Sequence, residues 1–290
     1  MHKFGLLILL IWMLPASAAE HQPAVRIGLT LGVPIGSHAY YERWGGYLAG
    51  KTGQNIEFRP LNSCRKAMDL LQAGGIDFAW IEGSCYVEAT RRGIAQLMTV
   101  PVYRGAPYHR ALIIVHRDSP SMRFSDLKGK IFAFSDPDST TGFTFPLTLV
   151  PARERIPGAY FRQSFFTFGH AETVRAVAEQ LADGGAVDSY IWEYLASTRP
   201  DIAKKTKIIR QSPEFGFSPM VFRRGTTVEM IEKIKGVLES MHKDPVGRDL
   251  LAELKLDEFR HFPPNLFNSS RRISIRARTH DLWAATTDID

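Results

Sequence analysis

The sequence predicts an α/β protein built as two lobes around a cleft, and three observations carry that prediction. Short apolar runs alternate with segments of helical spacing, the order that builds a sheet covered by helices. One run, Ala111 to Val115, is apolar throughout, as in a strand buried on both faces. Leu127-Lys128-Gly129-Lys130 then opens a second series of units ahead of another strand. The expected limits are 1–19 for a signal peptide, 20–116 for lobe I, 117–213 for lobe II, and 214–290 for a return to lobe I with C-terminal helices.

Taken in order, Val25-Arg26-Ile27-Gly28-Leu29 reads as the first strand, with Tyr40 in the loop after it and a helix from about Tyr40 to Thr52 that stops at Gly53. Ala67, Leu70 and Leu71 mark a second helix, ended by Gly74-Gly75. Ile76 to Ile81 is a short strand before Gly83-Ser84. Ile131 to Phe134 is a strand of the second series. Val174, Val177, Ala178 and Leu181 form a helical stripe expected to end at Gly184-Gly185. Ser189 to Trp192 and Met220 to Phe222 read as further strands, and Met230 to Met241 as a long amphipathic helix. The alternation predicts a mainly parallel sheet in which ligands bind beyond the carboxyl ends of the strands.

Composition narrows the class. With 290 residues, 44% hydrophobic and 23% charged, the chain is ordinary for a globular protein, and two Cys exclude a cysteine-rich zinc module. A net charge of +6 mildly favours anionic partners. Lys3, the apolar run from Phe4 to Leu14 and small Ala16-Ser17-Ala18 have the layout of a secretory signal peptide. The run, roughly 11 residues, is short for a membrane span. Export leaves two states open for Cys64 and Cys85, each near a helix start after a strand: a disulfide or a pair of free thiols.

The stretch richest in chemistry is Asp136-Pro137-Asp138-Ser139-Thr140-Thr141-Gly142-Phe143, between a strand and a helix. Its hydroxyls either cap that helix, or join the free N–H groups and dipole of the helix start to hold a tetrahedral oxyanion without a metal. His170, after Gly169, opens the helix of Val174 and Val177. It is either a capping or core histidine or a donor to an anion across the cleft. Tyr40 and Tyr86 lie near strand ends where a ring wall with one hydroxyl suits a small ligand, whereas Tyr103 and Tyr108 read as packing residues.

Several enzyme signatures fail. His116-Arg117-Asp118 lacks the rest of a kinase loop, and His170-Ala171-Glu172 lacks the Pro-Cys-x-x-Cys of a zinc deaminase. No P-loop, G-x-G-x-x-G or G-x-S-x-G occurs. The basic run Arg271 to Arg278 reads as a solvated tail, and export argues against a nucleic-acid partner.

The chain resembles the substrate-binding proteins of phosphate/phosphite/phosphonate ABC transporters, of the phosphonate-binding type. The likeness runs from Arg26-Ile27-Gly28 to about Leu256. Asp136 to Phe143 is similar to that family's Asp-Pro-x-Ser-x-Ser-Gly phosphoryl-binding helix start. Gly169-His170, Val187-Asp188 and Gln211-Ser212-Pro213 resemble three further landmarks, and Tyr86 approximates a pocket position. The resemblance implies the two-lobed type II periplasmic binding-protein fold, no cofactor, no catalysis, a monomer in the periplasm and an inner-membrane ABC permease as partner. It also implies that Ser139, Thr140, Thr141 and His170 hold phosphoryl oxygens, with Tyr86 and Tyr40 lining the pocket. Thr141 stands where the family usually has Ser, which keeps the donor and adds a methyl. Members that bind aminoalkylphosphonates carry a carboxylate in the loop before the return strand. Ser218 lies near that place here, with Glu193 or Glu214 as substitutes, so the expected ligand is phosphite, phosphate or a methylphosphonate-like anion. The rival expectations are a different small ligand, service to a sensor kinase, and an exported phosphoesterase.

Overall fold

The computed structural model describes residues 24–30, 38–155 and 159–278. The expected signal peptide, 1–19, lies outside them.

Lobe I begins with β1 (Val25–Leu29), α1 (His38–Thr52), β2 (Ile56–Pro60), α2 (Cys64–Ala73), β3 (Phe78–Trp80), α3 (Gly83–Arg91) and β4 (Ala95–Val102). Local chemistry sets the limits of α2. Ser63 Oγ accepts from Lys66 N–H at 3.2 Å to start it, and Gly74 at φ 71° ends it by a left-handed turn. The short β5 (Tyr108–His109) leads to the second lobe, which runs through β6 (Ala111–His116), β7 (Ile131–Phe134), a π-helical turn at Thr140–Thr144, α4 (Phe145–Leu149), β8 (Gln163–Phe166), α5 (His170–Ala178), β9 (Gly184–Asp188), α6 (Ser189–Thr198), α7 (Pro200–Ala203) and β10 (Thr206–Gln211). The chain returns through β11 (Phe215–Gly216) to β12 (Met220–Arg223), α8 (Val228–Ser240), α9 (Pro245–Glu253), β13 (Glu258–Arg260) and α10 (Asn268–Arg278).

The strands form a six-stranded sheet ordered β13-β4-β12-β3-β1-β2, a five-stranded sheet ordered β10-β6-β9-β7-β8, and a two-stranded ladder of β11 with β5. Lobe II therefore starts at β6, not after residue 116, because Ala111–His116 is hydrogen-bonded between β9 and β10. The sheets are mixed rather than mainly parallel. β1 pairs in parallel with β2 and β3, and β7 with β8 and β9, but β12, β13, β6 and β10 pair antiparallel. The antiparallel set includes the strands that carry the chain between lobes.

β6 is buried on both faces as its apolar run predicts: Leu112 and Ile114 join the main core, while Ile113 and Val115 face an aromatic cluster of Phe132, Phe134, Phe143 and Phe161. Two element assignments shift. Helix α5 ends at Ala178, and Gly184-Gly185 opens β9 instead of stopping that helix. A Cβ on Gly185 would lie 2.7 Å from Thr173 Cγ2, so bare backbone is what lets α5 lie flat on the strand. Ser189 to Trp192 is helical, since Asp188 Oδ1 accepts from Tyr190 N–H at 2.8 Å and ends the strand with a cap. The basic C-terminal run is not a tail. Its helix α10 packs on α3 of lobe I and on the π-helical turn of lobe II, with Ser270 and Ser274 buried.

Candidate functional site

The cleft between the sheets has a cavity of about 270 Å³. Lobe I contributes Thr30, Tyr41, Asn62, Ser63 and Glu82, and lobe II contributes Asp136, Asp138, Phe168, Gly169 and His170. Both Cys64 and Cys85 line it and are bridged, with Cα atoms 5.6 Å apart, so the open choice between disulfide and free thiols falls to the disulfide. The bridge ties the first turns of α2 and α3 together as one wall.

The helix start after β7 lies behind the cavity wall: Asp136, Asp138 and His170 line the cavity, whereas Ser139, Thr140 and Thr141 do not. Ser139, Thr140 and Thr141 are at most 2% exposed. Ser139 Oγ accepts from Gly142 N–H at 3.0 Å and so does act as the cap. Thr141 Oγ1 donates to Asp188 Oδ2 at 3.4 Å. Thr140 Oγ1 is buried and has no hydrogen-bond partner among the described residues. The N–H groups of Thr140 and Thr141, in the first turn, likewise have no acceptor there. Gly142 is sterically required: a Cβ would stand 2.5 Å from Ser135 Cβ and 3.1 Å from His170 Cε1.

His170 begins α5 against this turn. Its Nδ1 accepts from Asp188 N–H at 3.1 Å, which puts the ring hydrogen on Nε2, 3.4 Å from Glu82 Oε1 of lobe I. Burial disfavours the imidazolium, but Glu82, Asp188 and Asp136 outweigh that and raise the pKa above the ordinary value. A second proton on the ring would cost the Asp188 N–H bond. Behind it, burial alone would raise the Asp188 carboxyl, but His109, His170 and Tyr190 N–H hold it below the usual range.

Carboxylates crowd the cleft. Burial, then the charge of Glu82, pushes Asp136 up to about 7. The same two causes raise Asp138, with Arg65 pulling the other way. Asp138 is also a cross-cleft contact, since its carbonyl accepts from Ser84 Oγ at the start of α3. Phe168 stands at the rim, 70% exposed and at φ 56°, a left-handed backbone that a side chain adopts at a cost.

The aromatic expectations change. Tyr40 is in α1, not in a loop, and it is core: 1% exposed, its hydroxyl donating to Leu250 O at 3.1 Å. Its neighbour Tyr41 lines the cleft instead. Tyr86, also 1% exposed, turns away from the cavity and packs on Phe267, with ring centroids 4.6 Å apart. Glu193 is held by Tyr103 Oη at 2.5 Å and by Arg104, and Glu214 by Arg110, so neither lines the cavity. Ser218 is buried, its carbonyl accepting from Trp80 Nε1 at 2.9 Å. The acids at the cleft are Glu82, Asp136 and Asp138, of which Glu82 carried no motif to single it out. No group of residues suited to a metal ion occurs among the described residues.

Two sheets joined by crossing strands, with a cavity between them, make the two-lobed fold of the type II periplasmic binding proteins. The chain belongs to the family described as the periplasmic substrate-binding protein of the phosphonate ABC transporter, whose profile matches residues 36–264. It is 28% identical over 190 residues to the phosphonates-binding periplasmic protein of Escherichia coli, covering 64% of this chain and 56% of that one. It is 23% identical over 199 residues to a phosphate-import protein of Mycolicibacterium smegmatis, covering 65% of this chain and 62% of that one. The chain thus spans less than two thirds of either curated relative. The fold matches the binding component of a Pseudomonas aeruginosa ABC phosphonate transporter with a TM-score of 0.80 at 21% identity, covering 93% of this chain and 91% of that one.

Proposed function

We propose that this protein is exported by its first 19 residues, captures a small phosphorus oxyanion between its lobes as a monomer, and hands it unchanged to an ABC permease. Ser139, Thr140, Thr141 and His170 hold the phosphoryl oxygens, together with the first-turn N–H groups. The observation that carries this reading is Thr140 Oγ1, a buried hydroxyl with no partner among the described residues, beside two N–H groups in the same condition. Leaving buried donors unpaired costs about 1–3 kcal/mol each, which an anion recovers on binding. Charge-assisted bonds of about 1.5–3 kcal/mol each reach roughly micromolar affinity after the cost of closure.

Calorimetric titration with phosphite, phosphate, methylphosphonate, 2-aminoethylphosphonate and sulfate tests it. Saturable heat is expected with at least one phosphorus anion. The double variant Ser139→Ala, His170→Ala is expected to lose that heat while keeping a cooperative melt. Undiminished affinity in the folded double variant would sink the site assignment.

A further inference from the structure

Glu82 occupies the N-cap position of α3, yet its side chain makes no capping bond. It reaches across the cleft to His170 Nε2, so the hydrogen that His170 offers is already aimed at a carboxylate. Every charged group around it bears on this contact. From the loop after β7 come Asp136 and Asp138, whose protonation Glu82 favours. Asp188 stands behind His170, paired with buried His109. From α2 and α3, Arg65 and Glu88 act on Asp138. Three carboxylates, Glu82, Asp136 and Asp138, thus line the cavity beside His170, with the buried hydroxyl and N–H donors of the helix start behind them.

An ionised carboxylate only accepts hydrogen bonds. A fully ionised oxyanion held at His170 would set its own lone pairs against Glu82, with a desolvation cost and no bond in return. An oxyanion that still bears one acidic hydrogen donates it to Glu82, takes over the Nε2 hydrogen of His170, and presents its other bare oxygens to Thr140 Oγ1 and the Thr140 and Thr141 N–H groups.

We propose that Glu82 is a specificity-determining residue: it accepts the acidic hydrogen of a singly protonated phosphorus oxyanion, so the cleft takes that form and rejects sulfate and fully ionised phosphoryl groups. This rests on the oxyanion reading of the same cleft. Discrimination built on one obligatory hydrogen bond can exceed about a hundredfold.

The test is calorimetry with phosphate, methylphosphonate and sulfate between about pH 5.5 and about pH 8.5, a window that spans the second ionisation of both phosphorus ligands. The readout is the ratio of phosphorus-anion to sulfate affinity at each pH. Lobe closure and the titrations of Asp136 and His170 enter both affinities and cancel in that ratio, whereas sulfate has no proton to lose in the window. In the wild-type protein the ratio is expected to exceed about a hundredfold at the acidic end and to fall towards tenfold per pH unit above the ligand's second ionisation. In Glu82→Gln, whose amide can donate, the ratio is expected to drop at least about tenfold and to lose its pH slope. A wild-type ratio that is flat with pH would overturn the role of Glu82, even where phosphorus anions bind well. A folded Glu82→Gln protein with the wild-type ratio and slope would overturn it too. Absence of binding by any phosphorus anion at any pH would remove the oxyanion reading itself, and this inference with it.

Discussion

At the scale of single residues, Gly142 joins the fold to the site. It lets the turn after β7 close against Ser135 while His170 lies over it, with no room for a methyl group. Gly142→Ala is therefore expected to cost about 1–3 kcal/mol in thermal or denaturant unfolding, because a buried overlap must be relieved by moving its neighbours. The same variant should bind the anion about tenfold more weakly, since His170 is one of those neighbours. A variant that melts and binds like the wild type would show that the turn yields without loss. Local spelling made part of the cleft lining legible: Asp136, Asp138, Gly169 and His170 belong to two short motifs whose residues are adjacent in the chain. Glu82 was not legible, because its meaning comes from a lobe it meets only across the cleft. The tyrosines failed for a different reason. Adjacent positions on a helix point about 100° apart, so exchanging Tyr40 for Tyr41 at the cleft is a matter of helix phase, which the pattern did not fix.

At the scale of elements, the disulfide makes a single rigid wall from two helix starts. Cys64 and Cys85 lie 21 apart in sequence and sit in the first turns of α2 and α3. Closing a loop of that size removes unfolded-state freedom worth about 3 kcal/mol. The variant Cys64→Ser, Cys85→Ser should therefore melt roughly 6–12 °C lower, and reductant should lower the wild type but not the variant. Equal melting of both proteins under both conditions would mean that the wall holds without the bridge. The element pattern was readable where periodicity was strong, as in β6 and α8. It misled at Gly184-Gly185, where glycines that usually stop a helix serve instead as a strand pressed by α5, and at Ser189 to Trp192, where β-prone side chains follow an Asp cap. Both are cases of tertiary packing overriding local preference.

At the scale of the whole molecule, we expect charge to be coupled to closure of the cleft. Glu82 of lobe I faces Asp136 and Asp138 of lobe II, and the Asp136 carboxyl is pushed up to about 7 by burial and by Glu82. An opening of the cleft would rehydrate Asp136 and separate it from Glu82, so a closed form is expected to bind this proton more tightly than an open one. The stabilisation of the closed form is fully present at acid pH and is lost as pH rises through about 7. Small-angle scattering of the ligand-free protein is expected to give a larger radius of gyration near about pH 8.5 than near about pH 5.5. Asp136→Asn, which retains an acceptor for Asp138 N–H, should flatten most of that change. A radius that does not move with pH in the wild type would separate closure from this carboxyl. The two-lobed outline was legible from the alternation of elements. The point of crossing was not, because Ala111 to Val115 reads as a buried strand in either sheet, and only the ladders with β9 and β10 decide between them.

The strand order also bears on how such a chain comes into being. β12 lies between β3 and β4 in the six-stranded sheet, although the whole of lobe II separates it from them in sequence. A chain that emerges amino end first therefore offers β3 and β4 as unsatisfied edges until Met220–Arg223 arrives to fill the gap. Lobe II, continuous from β6 to β10, can finish its own sheet before that. The lobe made first is thus the last to be completed.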